Sequence, residues 1–310
     1  VEPKKKPLNK QHDNTHHVCG YVAIVGMPNA GKSTLMNRYL HEKVSIVTPK
    51  PQTTRANVTT ILSAENYQVI FIDTPGLLTP RYRMQEVMAS LIKHAIAGSD
   101  VILLIIDAEK YRSNLNPAII TLADEIRAKK VIVTLNKIDI IKKVKLLKII
   151  KETSDVFPDA EIFPISALKG DGTDDLLGAL LQSLPAGGKL YPDDIISTEP
   201  ERFFVAEIIR EAVFLSMEEE IPYATAVLIE GFEEKQPKSV IHAAIVVEKN
   251  SHKPIIIGKK GRTIKEIGTK ARIGIEEFLG CGVYLDLHVK VRKDWRNKES
   301  MLREIGLRRK

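Results

Sequence analysis

Between Gly20 and Leu184 short apolar runs alternate with stretches of helical spacing. The runs are Tyr21–Val25, Gln68–Ile72, Val101–Ile106, Val131–Leu135 and Ile162–Ile165. They are short, apolar and partly β-branched, as expected of strands buried on both faces. Ser33–Leu40, Gln85–Ala97 and Pro117–Ala128 read as helices between them. Such alternation predicts an α/β fold with a mostly parallel sheet, whose ligands sit at the carboxyl ends of the strands.

The pattern changes at Leu184–Asp194, where prolines and glycines cluster and predict a linker over 185–200. Beyond it Arg202–Met217 has helical apolar spacing, and Ala224–Phe232 and Val240–Glu248 read as paired strands. A short apolar run, Pro254–Ile257, leads through Gly258-Lys259-Lys260-Gly261 into a helix over Arg262–Leu279 and a strand over Val283–Val291. The expected organisation is a flexible arm at 1–17, a first domain at 18–184, the linker, and a smaller α+β domain at 201–310 carrying a basic tail.

Length and charge sharpen this division. A chain of 310 residues suffices for about two domains. The formal charge is +7, but the segment from Lys253 to Lys310 holds 16 basic and 7 acidic residues, so the chain before it is slightly acidic. Charge segregated in this way favours an anionic partner for the C-terminal end: nucleic acid first, a membrane surface second. Cys19 and Cys281 are remote from each other and from any metal-ligand pattern, which argues for a reducing compartment and small buried side chains. No apolar run reaches the roughly 18 residues of a membrane span, and no signal-peptide core is seen at the start, so the expectation is a soluble intracellular protein.

The candidate chemistry lies at the strand ends. Gly26-Met27-Pro28-Asn29-Ala30-Gly31-Lys32-Ser33 follows the first strand and opens a helix, the context of a phosphate-binding loop. Its glycines let the N–H groups of Asn29, Ala30, Gly31, Lys32, Ser33 and Thr34 turn toward phosphate. Lys32 is expected to reach the β- and γ-phosphates and Ser33 to offer a hydroxyl to Mg²⁺. In the loop Thr48-Pro49-Lys50-Pro51-Gln52-Thr53-Thr54-Arg55 a threonine is placed to close over the metal, with Thr54 preferred to Thr53. Asp73-Thr74-Pro75-Gly76 follows the next strand, with Asp73 on the metal through water and the Gly76 N–H on the γ-phosphate. The candidate catalytic residues are therefore Lys32, Thr54 and Gly76, and the candidate metal-site residues Ser33, Thr54 and Asp73. Asn136-Lys137-Ile138-Asp139 selects the base: the Asp139 carboxylate accepts two hydrogen bonds from guanine, and adenine has no such donor pair. Asn136 is expected to touch the base edge and brace the loop, and the Lys137 stem to cover the ring. Ser166-Ala167-Leu168-Lys169-Gly170 then offers the Ala167 N–H to guanine O6.

The motif set resembles the Era/TrmE-like group of translation-factor-related GTPases. The segment around Gly258, Lys259, Lys260, Gly261 and Arg262 resembles a type II KH domain, in which such a turn clamps an RNA backbone beside an apolar groove. The two joined in this order resemble the Era family, and the likeness spans Gly20 to about Arg309. It implies GTP and GDP as ligands, Mg²⁺ as cofactor, and hydrolysis coupled to binding of the 3′ region of 16S ribosomal RNA in 30S subunit maturation. It further implies a monomer in the cytoplasm, with peripheral association at the inner face of the cell membrane. Leu77 departs from the Ras pattern, since a glutamine that orients water is expected there. Asn29 is either a potassium ligand beside the phosphates or a plain turn residue. Trp295 is expected to pack under the second sheet rather than stack on a base. Two other readings compete: an RNA-binding module for which GTP is only a structural ligand, kept alive by Leu77, and a P-loop kinase or ATPase, which the Asn136–Asp139 motif opposes.

Overall fold

The computed structural model describes residues 17–42, 45, 48, 50–112, 114–234 and 237–307. The predicted arm up to residue 16, Pro49 of the threonine loop and the last three basic residues lie outside these. The chain folds as β1 (Val18–Gly26), α1 (Lys32–Leu40), β2 (Val58–Ser63), β3 (Tyr67–Asp73), α2 (Arg83–Ala97), β4 (Val101–Asp107), α3 (Pro117–Ile126), β5 (Lys130–Asn136), α4 (Lys143–Val156), β6 (Glu161–Ile165) and α5 (Thr173–Ser183). Then follow α6 (Glu201–Ser216), β7 (Thr225–Glu233), β8 (Lys238–Val247), α7 (His252–Ile257), α8 (Arg262–Leu279), β9 (Gly282–Val291) and α9 (Glu299–Glu304).

The first sheet has the order β2-β3-β1-β4-β5-β6 and is parallel except for β2. Its central strands bury both faces, so alternate residues serve two cores. Ala23 and Val25 of β1, with Ile102 and Leu104 of β4, meet α2, α3 and α4. Val22 and Ile24, with Leu103 and Ile105, meet α1 and α5 on the other side. Stripping either helix layer would expose a continuous apolar surface at about 25 cal/mol per Å². Every predicted strand of this region is present, and β2 is an addition. Val58-Thr59-Thr60-Ile61-Leu62-Ser63 is half polar and pairs antiparallel with β3 at the sheet edge, where one face remains partly solvated.

The predicted linker is not a free tether. Ala186 bridges to Val18, the Cys19 N–H donates to Pro185 O at 3.1 Å, and the Ile61 N–H donates to Ile196 O at 2.8 Å. Gln68, wholly buried, accepts from the N–H groups of Leu190 and Tyr191 and donates to Tyr191 O. Prolines and glycines signalled a break in regular structure, but a strand edge with open backbone groups recruits such a segment.

The second sheet has the order β7-β8-β9, with β8 antiparallel to β7 and parallel to β9. The region between β8 and β9 holds two helices rather than one. Pro254–Ile257 lies in α7, where only Ile256 is fully buried and Ile255 stays exposed. So short an apolar run carries no readable period. Alternation again divides the sheet: Ile241, Ala243 and Ile245 face the helices of the second unit, whereas Ala244 and Val246 face the opposite way.

That opposite face is covered by the first unit. Met84, Met88 and Leu91 of α2 pack with Ala226, Leu228, Ala244 and Val246 around Trp295, Leu302 and Leu307. Trp295 is completely buried and its indole N–H donates to Ala224 O at 3.0 Å, so it packs, as its sequence context suggested. At the rim the Arg83 guanidinium meets Glu299, and Arg296 lies over the Tyr82 ring at 4.6 Å. Trp295→Ala is expected to lower unfolding free energy by about 3–5 kcal/mol, the range for truncating a large buried aromatic. Urea denaturation followed by circular dichroism checks this, and a loss below about 1 kcal/mol would contradict it.

Candidate functional site

The Gly26–Ser33 turn joins β1 to α1 at the carboxyl edge of the sheet. Two of its glycines are forced by neighbours. A Cβ on Gly26 would stand 2.3 Å from Ile105 O, and one on Gly31 would stand 2.1 Å from Asn136 Nδ2, with the Gly31 φ at +98°. Asn29 also has a left-handed backbone, φ +62°. Asn29, Gly31, Lys32, Ser33, Thr34, Thr54 and Gly76 line one cavity of about 460 Å³, together with Lys137. Ala30 lies beneath it, fully buried. The Lys32 ammonium is folded onto the carbonyls of Gly26 and Met27, each at 3.3 Å. Burial pulls its pKa down, against an opposing pull from Asp73.

Oxygen donors gather beside it. Ser33 Oγ donates to Asp73 Oδ2 at 2.8 Å and lies 3.2 Å from Thr54 Oγ1. Asp73 is wholly buried, and burial raises its pKa while Lys32, Ser33 and Ser45 lower it. Its Oδ1 has no hydrogen-bond partner among the described residues. An orphaned carboxylate oxygen beside two hydroxyls suits a hard divalent cation that keeps several waters, and this donor set fits Mg²⁺. Thr53 is arranged differently, its carbonyl accepting from the Arg210 guanidinium. Gly76 presses on the phosphate-type turn: a Cβ there would fall 2.8 Å from Pro28 Cα. Leu77 packs against the core on the α2–α4 side of the sheet, so its side chain positions no water.

At the ends of β5 and β6 the structure revises one expectation. The Ala167 N–H, expected to face a base carbonyl, donates to Asn136 Oδ1 at 2.9 Å. Asn136 Nδ2 in turn donates to Ala30 O at 2.8 Å. The Asn136 amide thus ties three loops together: its buried Oδ1 also accepts from the Lys137 N–H at 2.8 Å, so bracing takes the oxygen and one of the two Nδ2 hydrogens. Lys137 has φ +70°, and its ammonium meets Asp107 Oδ2 at 2.7 Å. Asp107, at the end of β4, also accepts from the N–H of Glu109. Sequence reasoning passed over it, although an acid at the carboxyl end of a buried strand was the available signal. The Asp139 carboxyl is mostly buried, 4.0 Å from Lys169 Nζ. Ser166 Oγ accepts from the Lys169 N–H at 3.1 Å and shapes the same loop.

The second set lies in the other unit. Gly258 (φ +73°), Lys260 (φ +54°) and Gly261 (φ +76°) form a tight turn between α7 and α8, with Lys259, Lys260 and Arg262 exposed. The crowded glycine is Gly258, whose added Cβ would lie 2.1 Å from Thr263 Oγ1; around Gly261 there is open space. A substitution at Gly261 is therefore strained by its backbone angle, not by neighbours. Exposed Ile255 lies on α7, immediately before this turn.

One more contact set was not legible. The loop carrying Thr54, expected to close over the metal, is gripped by the second unit. Lys50 Nζ donates to the carbonyls of Phe214 and Met217. The buried Arg55 guanidinium donates to Thr225 O at 2.6 Å, Pro222 O at 3.0 Å and Tyr223 O at 3.3 Å, and lies over the Phe214 ring. Burial, with Arg210 close by, lowers Arg55 to about 9, so it remains cationic at neutral pH.

Comparison with known proteins agrees with both halves of this description. Residues 21–137 match a family model described as 50S ribosome-binding GTPase, and residues 220–296 match the KH domain model. The chain is 45% identical over 303 residues to GTPase Era of Nitratidesulfovibrio vulgaris (strain DSM 19637 / Miyazaki F), covering 94% of this chain and 98% of that protein. It is 41% identical to a chloroplastic GTPase ERA-like protein of Arabidopsis thaliana, over 94% of this chain and 69% of that one. A crystal structure of Era with MgGDPNP and nucleotides 1506-1542 of 16S ribosomal RNA superposes with TM-score 0.90 at 42% identity, covering 94% and 99% of the two chains. A point variant of Aquifex aeolicus Era bound to GDP.AlF4- gives 0.89 at 41%, with the same coverage. With relatives this similar over nearly its whole length, and a GTPase domain followed by a KH domain, the chain belongs to the Era family of GTPases.

Proposed function

We propose that this GTPase is a switch that binds the 3′ region of 16S ribosomal RNA through its KH unit and acts in maturation of the 30S subunit. The observation that carries the switch reading is the double engagement of one short loop. Thr54 stands beside Ser33 at the cation corner, and its neighbours Thr53 and Arg55 are held by the second unit. Whatever moves Thr54 strains contacts that orient the KH unit.

In this reading Lys32 swings from its own loop carbonyls to the β- and γ-phosphates, and the N–H groups from Asn29 to Thr34 cradle them. Ser33, Thr54 and Asp73 hold Mg²⁺, directly or through water; when bound, it neutralises charge on the phosphates. The Gly76 N–H meets the γ-phosphate. Asp139 reads guanine and Lys137 covers the ring, steadied by Asp107, while Asn136, Ser166 and Ala167 fix the loop that frames the base. Leu77 packs on the core and orients no water, so hydrolysis needs another device; a potassium ion beside the phosphates, for which Asn29 would be a ligand, would neutralise charge on the transferring phosphoryl group. Lys259, Lys260 and Arg262 meet RNA phosphates as the Gly258–Gly261 turn approaches the backbone. The protein acts as a monomer in the cytoplasm, and its basic C-terminal end favours peripheral contact with an anionic membrane face.

Three outcomes test these assignments. Asp139→Asn should weaken GTP by about 2–5 kcal/mol and improve xanthosine triphosphate, because an amide cannot accept both guanine donors; competition titration reads both, and unchanged GTP affinity would sink the role of Asp139. Replacing potassium by sodium should slow single-turnover hydrolysis with GTP affinity nearly constant, and Asn29→Ala should erase the difference; equal native rates in the two salts would remove the ion from the mechanism. Arg55→Ala should leave GTP affinity in the absence of RNA within about threefold but collapse the ratio of RNA affinities between the GTP and GDP forms toward one. Titration of a labelled fragment of the 16S 3′ end, at one salt concentration, measures that ratio. A ratio of one in the native protein would overturn the switch reading itself.

A further inference from the structure

Helix α4 presents an outward face that the nucleotide and RNA sites do not use. Val144 is 81% exposed and Leu147 67%, and Ile140, in the turn just before the helix, is 57% exposed. Large aliphatic side chains this open, one helical turn apart, are uncommon on a surface with nothing to cover them. The same stretch carries Lys142, Lys143, Lys145, Lys148 and Lys151 with no acidic residue between Ile140 and Lys151. It is a cationic island in the slightly acidic part of the chain. Lys145 is occupied by Glu109 O. The other four form no ion pair among the described residues; of the nearby acids, Glu152 holds Tyr111 and the Leu115 N–H and Glu109 faces Lys137, while Asp155, one turn beyond Lys151, is exposed.

The arrangement of these side chains separates the kinds of partner. Positions 144, 147, 148 and 151 recur at i, i+3, i+4 and i+7, so they share one stripe. Along that stripe the aliphatic anchors occupy the first turn and the lysines the next. A helix lying in a bilayer interface separates apolar from charged residues around its axis, not along it, and here Lys148 and Lys151 would lie at the depth of the anchors. The stripe has no aromatic on which a base could stack. Anchors at one end and charges at the other suit a groove on a protein, where the anchors fill an apolar floor and the charges set direction. We propose that Val144 and Leu147 of α4, with Ile140 in the turn before it, dock into an apolar groove of a partner protein whose rim, beside Lys148 and Lys151, is acidic. Because α4 follows the Asn136–Asp139 motif directly, the docked partner would sit next to the base end of the nucleotide site.

The test places the photo-crosslinking residue benzoylphenylalanine at Lys143 of the full chain in the cells that make it, with the same residue at exposed Glu218 as the control position. A protein adduct specific to position 143 is identified, and that protein is purified and titrated against the native chain. Leu147→Asp should weaken its binding at least about tenfold, as expected at an anchor. Lys148→Glu with Lys151→Glu should do the same at low salt, with the effect shrinking as salt is raised. All three positions are exposed, so folding and GTP turnover should be unchanged in both variants. The proposal is overturned if the adduct is RNA, lipid or a second copy of this chain. It is equally overturned if position 143 gives no more adduct than position 218, or if the purified protein binds either variant within tenfold of native.

Discussion

A buried guanidinium needs acceptors, and the second unit supplies them for both terminal nitrogens of Arg55, leaving its Nε–H without a partner among the described residues. Three carbonyls, those of Pro222, Tyr223 and Thr225, lie at the point where the chain turns into β7, with the Phe214 ring beneath. Breaking that set would leave a cation uncompensated in a low-dielectric interface, which costs far more than the net value of the bonds formed. The seating of α6 and β7 and the path of the loop up to Thr54 are therefore one problem with one solution. The apolar contact between α2 and Trp295 supplies area, but area does not select direction; the Arg55 and Lys50 bonds to backbone carbonyls do.

Much of the first sheet was legible because parallel strands between two helix layers cannot hide their character. Val101–Ile106 is apolar throughout since both of its faces are buried. Where only one face is covered, the signal fades. β2 mixes threonine and serine with aliphatics without regular alternation and sits on an edge, and α7 is a six-residue helix with one deeply buried isoleucine. The segment after Leu184 misled for another reason: its fixation comes from the buried Gln68 amide and the open edge of β2, and neither belongs to the segment.

At the site, the residues that face the cavity were legible as motifs, because each is tied to its neighbours by short-range spacing. What connects the motifs was not. The reach of Asn136 to both Ala30 and Ala167, the pairing of Lys137 with Asp107, and the hold of Arg210 on Thr53 all span long sequence separations. Local pattern carries no term for such contacts, since they are set by how strand ends meet after the sheet has formed. Asn136 shows the consequence. Loops claim its oxygen and one amide hydrogen, and the second Nδ2 hydrogen is what remains for a ligand.

The fastening of residues 185–197 to the sheet changes how the two units can move. With Ile196 and Ser197 bonded to Ile61 and Thr59, only Thr198 to Pro200 separate the last of these bonds from the start of α6. Three extended residues span about 10 Å at most. The attachment therefore behaves as a swivel, not a leash: were the Arg55 and α2 contacts released, the KH unit could change its facing but not drift away. Its local concentration near the loop carrying Thr54 stays high whatever the orientation, and each re-engagement is a search over angle alone.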